Sequence, residues 1–99
     1  MRNYLALNHV FRALANPTRR HIVERLSDED ASVTVIAEPL PISLVSVMRQ
    51  IQVLESAGMI RTHKIAQLRT CWLEPQSLNL LEAWLTEQRS RWERRQPRP

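Results

Sequence analysis

Residues 42–60 read ISLVSVMRQIQVLESAGMI, and this stretch decides the fold. Ser43 is a good N-cap residue, because its hydroxyl accepts a hydrogen bond from an orphan N–H of the first helical turn. Gly58 suits the C′ position, where the left-handed conformation carries no Cβ penalty for glycine. Between them Val47, Ile51 and Leu54 recur at four- and three-residue spacing and form one buried face. At about 100° per residue, Val45, Arg49, Gln52 and Ser56 point the opposite way, with Ser46 and Met48 on the flanks. That outer face holds one cation, small and amide side chains, and almost no carboxylate in its first half. Arginine, glutamine and serine bond to phosphates and base edges. The spacing therefore predicts a DNA recognition helix over about 43–57.

Upstream, Ser32-Val33 reads as a stub of extended chain and Thr34 as the cap of a very short helix from Val35 to about Glu38. Pro39 and Pro41 end that helix and stiffen the link into Ser43. Two helices joined by a short rigid link make a helix-turn-helix, in which the first props the second against DNA. Earlier still, Tyr4 to Ala15 forms a helical pattern with Leu7, Val10, Phe11 and Leu14 on one face. It stops at Asn16-Pro17, where asparagine can cap and proline is pre-set for the first helical position. A second helix from Pro17 to Leu26 carries apolar Ile22, Val23 and Leu26. Arg19 and Arg20 in its early turns are read as a solvated face, with phosphate or dimer contact as the alternative. The acidic loop Ser27 to Asp30 has the wrong sign for a DNA surface and is expected to face away from it.

Downstream of Gly58 the period changes. Residues 59–65 and 68–73 are short runs of β-branched and large side chains separated by Ala66-Gln67. They predict a β-hairpin, a wing of about 60–73, although the link lacks the residues favoured in tight hairpin turns. Lys64, Gln67 and Arg69 lie at its tip. The last segment, about 76–95, is the longest helix. Leu78, Leu81, Leu85, Gln88 and Trp92 recur by threes and fours, and Leu80 and Trp84 broaden the stripe. A domain this small cannot obviously cover the whole stripe. The expected partner is the same helix of a second subunit, with Leu7, Phe11, Leu81, Trp84, Leu85 and Trp92 at the interface; intramolecular packing is the alternative. The tail Gln96-Pro97-Arg98-Pro99 is expected to fray.

The chain's 99 residues suit one domain with one modest core. A single glycine argues against a strand-rich fold, so a mainly α domain with a small β-hairpin is expected. The net charge of +4 and a pI near 10.6 suit a nucleic-acid partner. Cys71 is the one cysteine, which excludes an internal disulfide framework and fits a reducing cytoplasm. It is read as a small hydrophobe rather than a redox sensor. The first residues lack a continuous apolar signal segment, and no apolar run approaches the roughly 20 residues that span a bilayer. A cytoplasmic chain with no membrane partner is expected. No Gly-rich phosphate loop and no Ser/His/Asp grouping supports catalysis, so no catalytic residue is assigned and an enzyme is not expected.

The ordered set of segments resembles the ArsR-type winged-helix repressors over nearly the whole chain. FRALANPTRRHIVERL (11–26) is similar to their opening, and ASVTVIAEPLPIS followed by LVSVMRQIQVLESAGMI (31–60) to their helix-turn-helix with its closing VLE-x-AG-hydrophobic signature. RTHKIAQLRTCWLEP (61–75) resembles their wing, and LLEAWLTEQRSRWERR (80–95) the last helix of a metal-independent subgroup. The resemblance implies a small dimeric bacterial transcription repressor with first and last helices at the dimer interface. Members often carry Ser where Met48 stands and His where Gln50 stands; Met48 would shift readout toward a thymine methyl. The usual wing-tip Gly-Arg is Ala66-Gln67 here. Metal sensors of the family use a Cys-x-Cys in the third helix or carboxylate and His pairs on the last helix. Residues 33–38 hold no cysteine and no histidine follows His63, while His9, His21 and His63 lack ligand spacing. No metal or other cofactor is expected.

The preferred function is a sequence-specific, homodimeric repressor on an inverted-repeat, double-stranded DNA operator. Ser43, Val45, Ser46, Met48, Arg49, Gln52, Lys64, Gln67 and Arg69 are the expected DNA contacts. The alternatives are a winged-helix protein-interaction module, and a sensor gated by Cys71 or a ligand with weak DNA binding. A small-molecule inducer is left open.

Overall fold

A computed structural model of the chain describes residues 4–95. The expected fraying of Gln96–Pro99 lies outside the described residues. Five helices and three strands follow in the order α1 (Tyr4–Leu14), α2 (Pro17–Asp28), β1 (Ala31–Ser32), α3 (Val33–Ala37), α4 (Leu44–Ser56), β2 (Ile60–Ile65), β3 (Leu68–Leu73) and α5 (Pro75–Arg94).

The local signals at helix ends act as their chemistry dictates. Asn16 caps α2, its Oδ1 accepting from the Arg19 backbone N–H at 3.0 Å, with Pro17 in the first turn. Helix α2 runs on to Asp28, two residues past the expected end at Leu26. The Ser27 hydroxyl donates to the Val23 carbonyl at 2.9 Å, so the first half of the expected acidic loop is a last helical turn. Helix α3 starts earlier than Thr34 suggested. Ser32 is the cap, accepting from Val35 N–H at 3.3 Å, and Thr34 sits inside the helix with its hydroxyl 3.1 Å from that of Ser32. Helix α4 is capped by Ser43, which accepts from Ser46 N–H at 3.1 Å. It closes on Gly58 at φ +77°, where Met59 N–H reaches Leu54 O and Gly58 N–H reaches Glu55 O, both at 3.0 Å. That is the paired 6→1 and 5→2 bonding of a Schellman motif.

The hairpin is part of a larger sheet. Strand β3 pairs antiparallel with β2 from Ile60↔Leu73 to Ile65↔Leu68, and β1 adds at its other edge through Ala31↔Cys71 and Ser32↔Thr70. The extended stub is thus Ala31-Ser32, one residue earlier than expected, and its pairing anchors the wing to the helix-turn-helix.

The core is continuous across these elements. Val10 and Ala13 of α1, Ile22, Val23 and Leu26 of α2, Val33 and Ile36 of α3, and Val47, Ile51 and Leu54 of α4 close over Met59, Ile60 and Cys71. Helix α5 stands apart: its one buried residue is Ser77, whose hydroxyl donates to Gly58 O at 2.9 Å. Phe11 of α1 meets Trp84 of α5 edge to face, ring centroids 5.5 Å apart. Among the described residues no helix is long and apolar enough to cross a membrane.

Candidate nucleic-acid interface

Because α4 buries only Val47, Ile51 and Leu54, the opposite side of the helix is left to solvent. Val45, Met48, Arg49 and Gln52 are exposed, and Ser46 is half-buried. Ser43 does two jobs in the first turn. Its oxygen accepts the Ser46 N–H, and its hydroxyl donates to Ser46 Oγ at 3.0 Å. No acidic residue occupies that turn, so the positive end of the helix dipole is not offset.

The sheet brings the wing to the same place. Register pairs Lys64 with Arg69 across the hairpin, on the face that carries buried Ile60 and Cys71 nearer the helices. Lys64, Gln67 and Arg69 line a cleft of about 200 Å³ together with Met48 and Leu44 of α4 and the Ser32–Thr34 start of α3. Arg69 is held in place there, donating to Thr62 Oγ1 at 2.9 Å, while Thr62 donates to Glu55 Oε2 at 3.2 Å. Among the described residues the ion pairs are Arg25–Glu29 and Arg61–Glu74, so Arg49 and Lys64 carry uncompensated charge.

The expected DNA contacts therefore fall into two groups. Met48, Lys64, Gln67 and Arg69 meet in the wing cleft. Arg49 and Gln52 face the other way, lining a cleft of about 340 Å³ against His9 and Arg12 of α1. Ser43, Val45 and Ser46 line neither cleft and lie at the start of the helix. The expected interface residues also divide. Phe11, Trp84, Leu85 and Trp92 are exposed, whereas Leu7 is half-buried and Leu81 packs against the core.

Arg19 departs from the reading of a solvated face, being half-buried, whereas Arg20 stays exposed. Arg19 donates from Nε to Ala13 O at 2.7 Å, from Nη2 to Arg12 O at 3.2 Å and from Nη1 to Gln50 Oε1 at 2.8 Å. Arg20 donates to Leu14 O at 2.7 Å. Both satisfy the carbonyls left free at the end of α1 and suit the negative end of its dipole. Gln50, half-buried, accepts that bond and ties α2 to α4. What sequence reasoning missed at the candidate site is Leu44 and Leu68. The signal for Leu44 was present, since it sits one turn before Met48 on the same side of the helix.

A helix-turn-helix domain model matches residues 14–63, half of the chain and the part that holds α2 to the start of the wing. The HTH-type transcriptional regulator Rv2034 of Mycobacterium tuberculosis is 33% identical over 81 residues, 82% of this chain and 76% of that protein. A crystal structure of an ArsR family transcriptional regulator is 46% identical, with a TM-score of 0.86 over 89% of this chain and 97% of that one. The chain belongs to the ArsR family of winged helix-turn-helix transcriptional regulators. The transcriptional repressor SdpR of Bacillus subtilis is also similar, 36% identical over 62% of this chain and 68% of its own length. In ArsR terms, α3 and α4 are the helix-turn-helix and β2–β3 the wing.

Cys71 takes no part in the site. It is fully buried between β1 and β2, and burial pushes its thiol from the ordinary 9.0 up to about 11, with Arg69 lowering and Glu55 raising it less. A protonated, inaccessible thiol is a poor redox input.

Proposed function

We propose that this ArsR-family chain is a homodimeric repressor that binds an inverted-repeat operator in double-stranded DNA and has no catalytic role. The observation that carries this reading is the outward face of α4. It is exposed, free of acid in its first turn, and set beside a wing that brings Lys64 and Arg69 to the same cleft. Arg49 and Gln52 are suited to base edges, and Ser43, Val45, Ser46 and Met48 to the contacts of the first turn. Lys64, Gln67 and Arg69 would hold the backbone, fixing register and supplying affinity.

The second copy is inferred from α5. Trp84, Leu85 and Trp92 are 40%, 57% and 51% exposed, and Leu5 and Phe11 of α1 extend the apolar face. Pairing of α1 and α5 with those of a second subunit would cover it and set two α4 helices on one side of the dimer.

Fluorescence anisotropy with a duplex from the chain's own promoter region tests the proposal. Affinity is expected to fall steeply with salt, and Arg49→Ala to weaken it by about 1–3 kcal/mol if the side chain grips a base. No binding at low salt, or binding indifferent to both Arg49→Ala and Lys64→Ala, contradicts it.

A further inference from the structure

The N-terminal half of α4 carries three exposed apolar side chains. Leu44, Val45 and Met48 are 47%, 66% and 36% exposed, although the core takes only Val47, Ile51 and Leu54 from this helix. Leu68 of the wing faces Leu44 and Met48 across their shared cleft. Scattered exposed apolar residues are ordinary, but a contiguous set at the start of one helix calls for a partner. The polar groups of the same turn are partly occupied, since the Ser43 hydroxyl both accepts from and donates to Ser46.

The rim identifies the partner's chemistry. Lys64 and Arg69 line the same cleft, and neither Lys64 nor Arg49, which follows Met48 on α4, pairs with a carboxylate among the described residues, so the occupant is a polyanion with an apolar feature. In the major groove of duplex DNA that feature is the C5-methyl of thymine. We propose that Leu44, Val45 and Met48 read thymine methyl groups, so that each half-site presents thymines to the first turns of α4. This rests on the DNA-binding reading above and names the base it selects.

The test uses a duplex enriched by the protein from a random-sequence pool, resynthesised with deoxyuridine in place of thymidine in its half-sites. The exchange deletes methyl groups and leaves every hydrogen-bonding edge. Each contacted methyl is expected to contribute about a fourfold loss of affinity, equivalent to the ~0.8 kcal/mol of one buried carbon group. Val45→Ala and Met48→Ala, at exposed positions that leave the core intact, should shrink that loss. Equal affinity for the two duplexes, an undiminished loss in both variants, or half-sites without thymine overturns the inference while DNA binding stands. A pool that yields no enriched duplex overturns the DNA-binding reading itself.

Discussion

Arg19 shows how one side chain can join three elements. Its guanidinium bonds two terminal carbonyls of α1 and the amide of Gln50 on α4, from a base on α2. Arg19→Ala should lower unfolding stability by about 2 kcal/mol, as for hydrogen bonds to a charged group. Arg19→Lys should recover little, because an ammonium lacks the planar fork; full recovery in denaturant titration would contradict this. None of it was legible in sequence, where Arg19 and Gln50 lie far apart and arginine is by default a surface residue. Cys71 was legible as a small buried hydrophobe, and its consequence is a pH dependence. With its pKa raised from 9.0 to about 11, the folded chain keeps a proton that the unfolded chain releases. Between those values the unfolded state binds fewer protons, so stability falls as pH rises. Urea titrations at pH 8, 9.5 and 11 should show a steeper decline for the wild type than for Cys71→Ala; matching slopes would contradict the assignment.

Among the elements, α4 was the most legible, because its cap, its stop and its apolar period are all local. Ser43→Ala should cost about 1 kcal/mol of stability through the lost bond to Ser46 N–H. Helix α3 was less so: Ser32 and Thr34 are both cap residues, and the choice is made by β1, which ends at Ser32 on its pairing with Thr70. A two-residue strand has no periodicity to read, and only tertiary pairing defines it. The wing turn carries a cost that the sequence did announce. Ala66 has φ +56°, at the first central position of a two-residue turn that favours glycine, as in a type II′ hairpin. Ala66→Gly should therefore stabilise the chain by about 1 kcal/mol, relieving a left-handed non-glycine residue. A lower thermal midpoint for that variant would show that the turn is not strained. The outward face of α4 was legible as a helical wheel, but the meeting of Met48 with Lys64 and Arg69 depends on sheet register and was not.

At the scale of the molecule, the chain is elongated. The radius of gyration is 16.3 Å and the principal extents are 58 × 28 × 20 Å, whereas a compact domain of about 100 residues has a radius near 13 Å. The excess follows from α5, which spans roughly 30 Å at 1.5 Å per residue and buries only Ser77. The last helix was anticipated from its apolar stripe, but Leu81 in that stripe packs on the core of its own chain. The surface left for the proposed pairing is thus Trp84, Leu85 and Trp92, all exposed. Trp84→Glu with Leu85→Glu should convert a dimer to a monomer in sedimentation at micromolar concentration, with helix content retained; an unchanged mass would place the contact elsewhere. A dimer also sets the symmetry of what it binds, since two α4 helices related by a two-fold axis require two related half-sites. Selection of bound duplexes from a random pool tests that most directly. The account predicts enrichment of an inverted repeat whose half-site centres lie about 10–10.5 base pairs, or a multiple, apart. No enrichment, or a single unrepeated site bound by one chain, would contradict it.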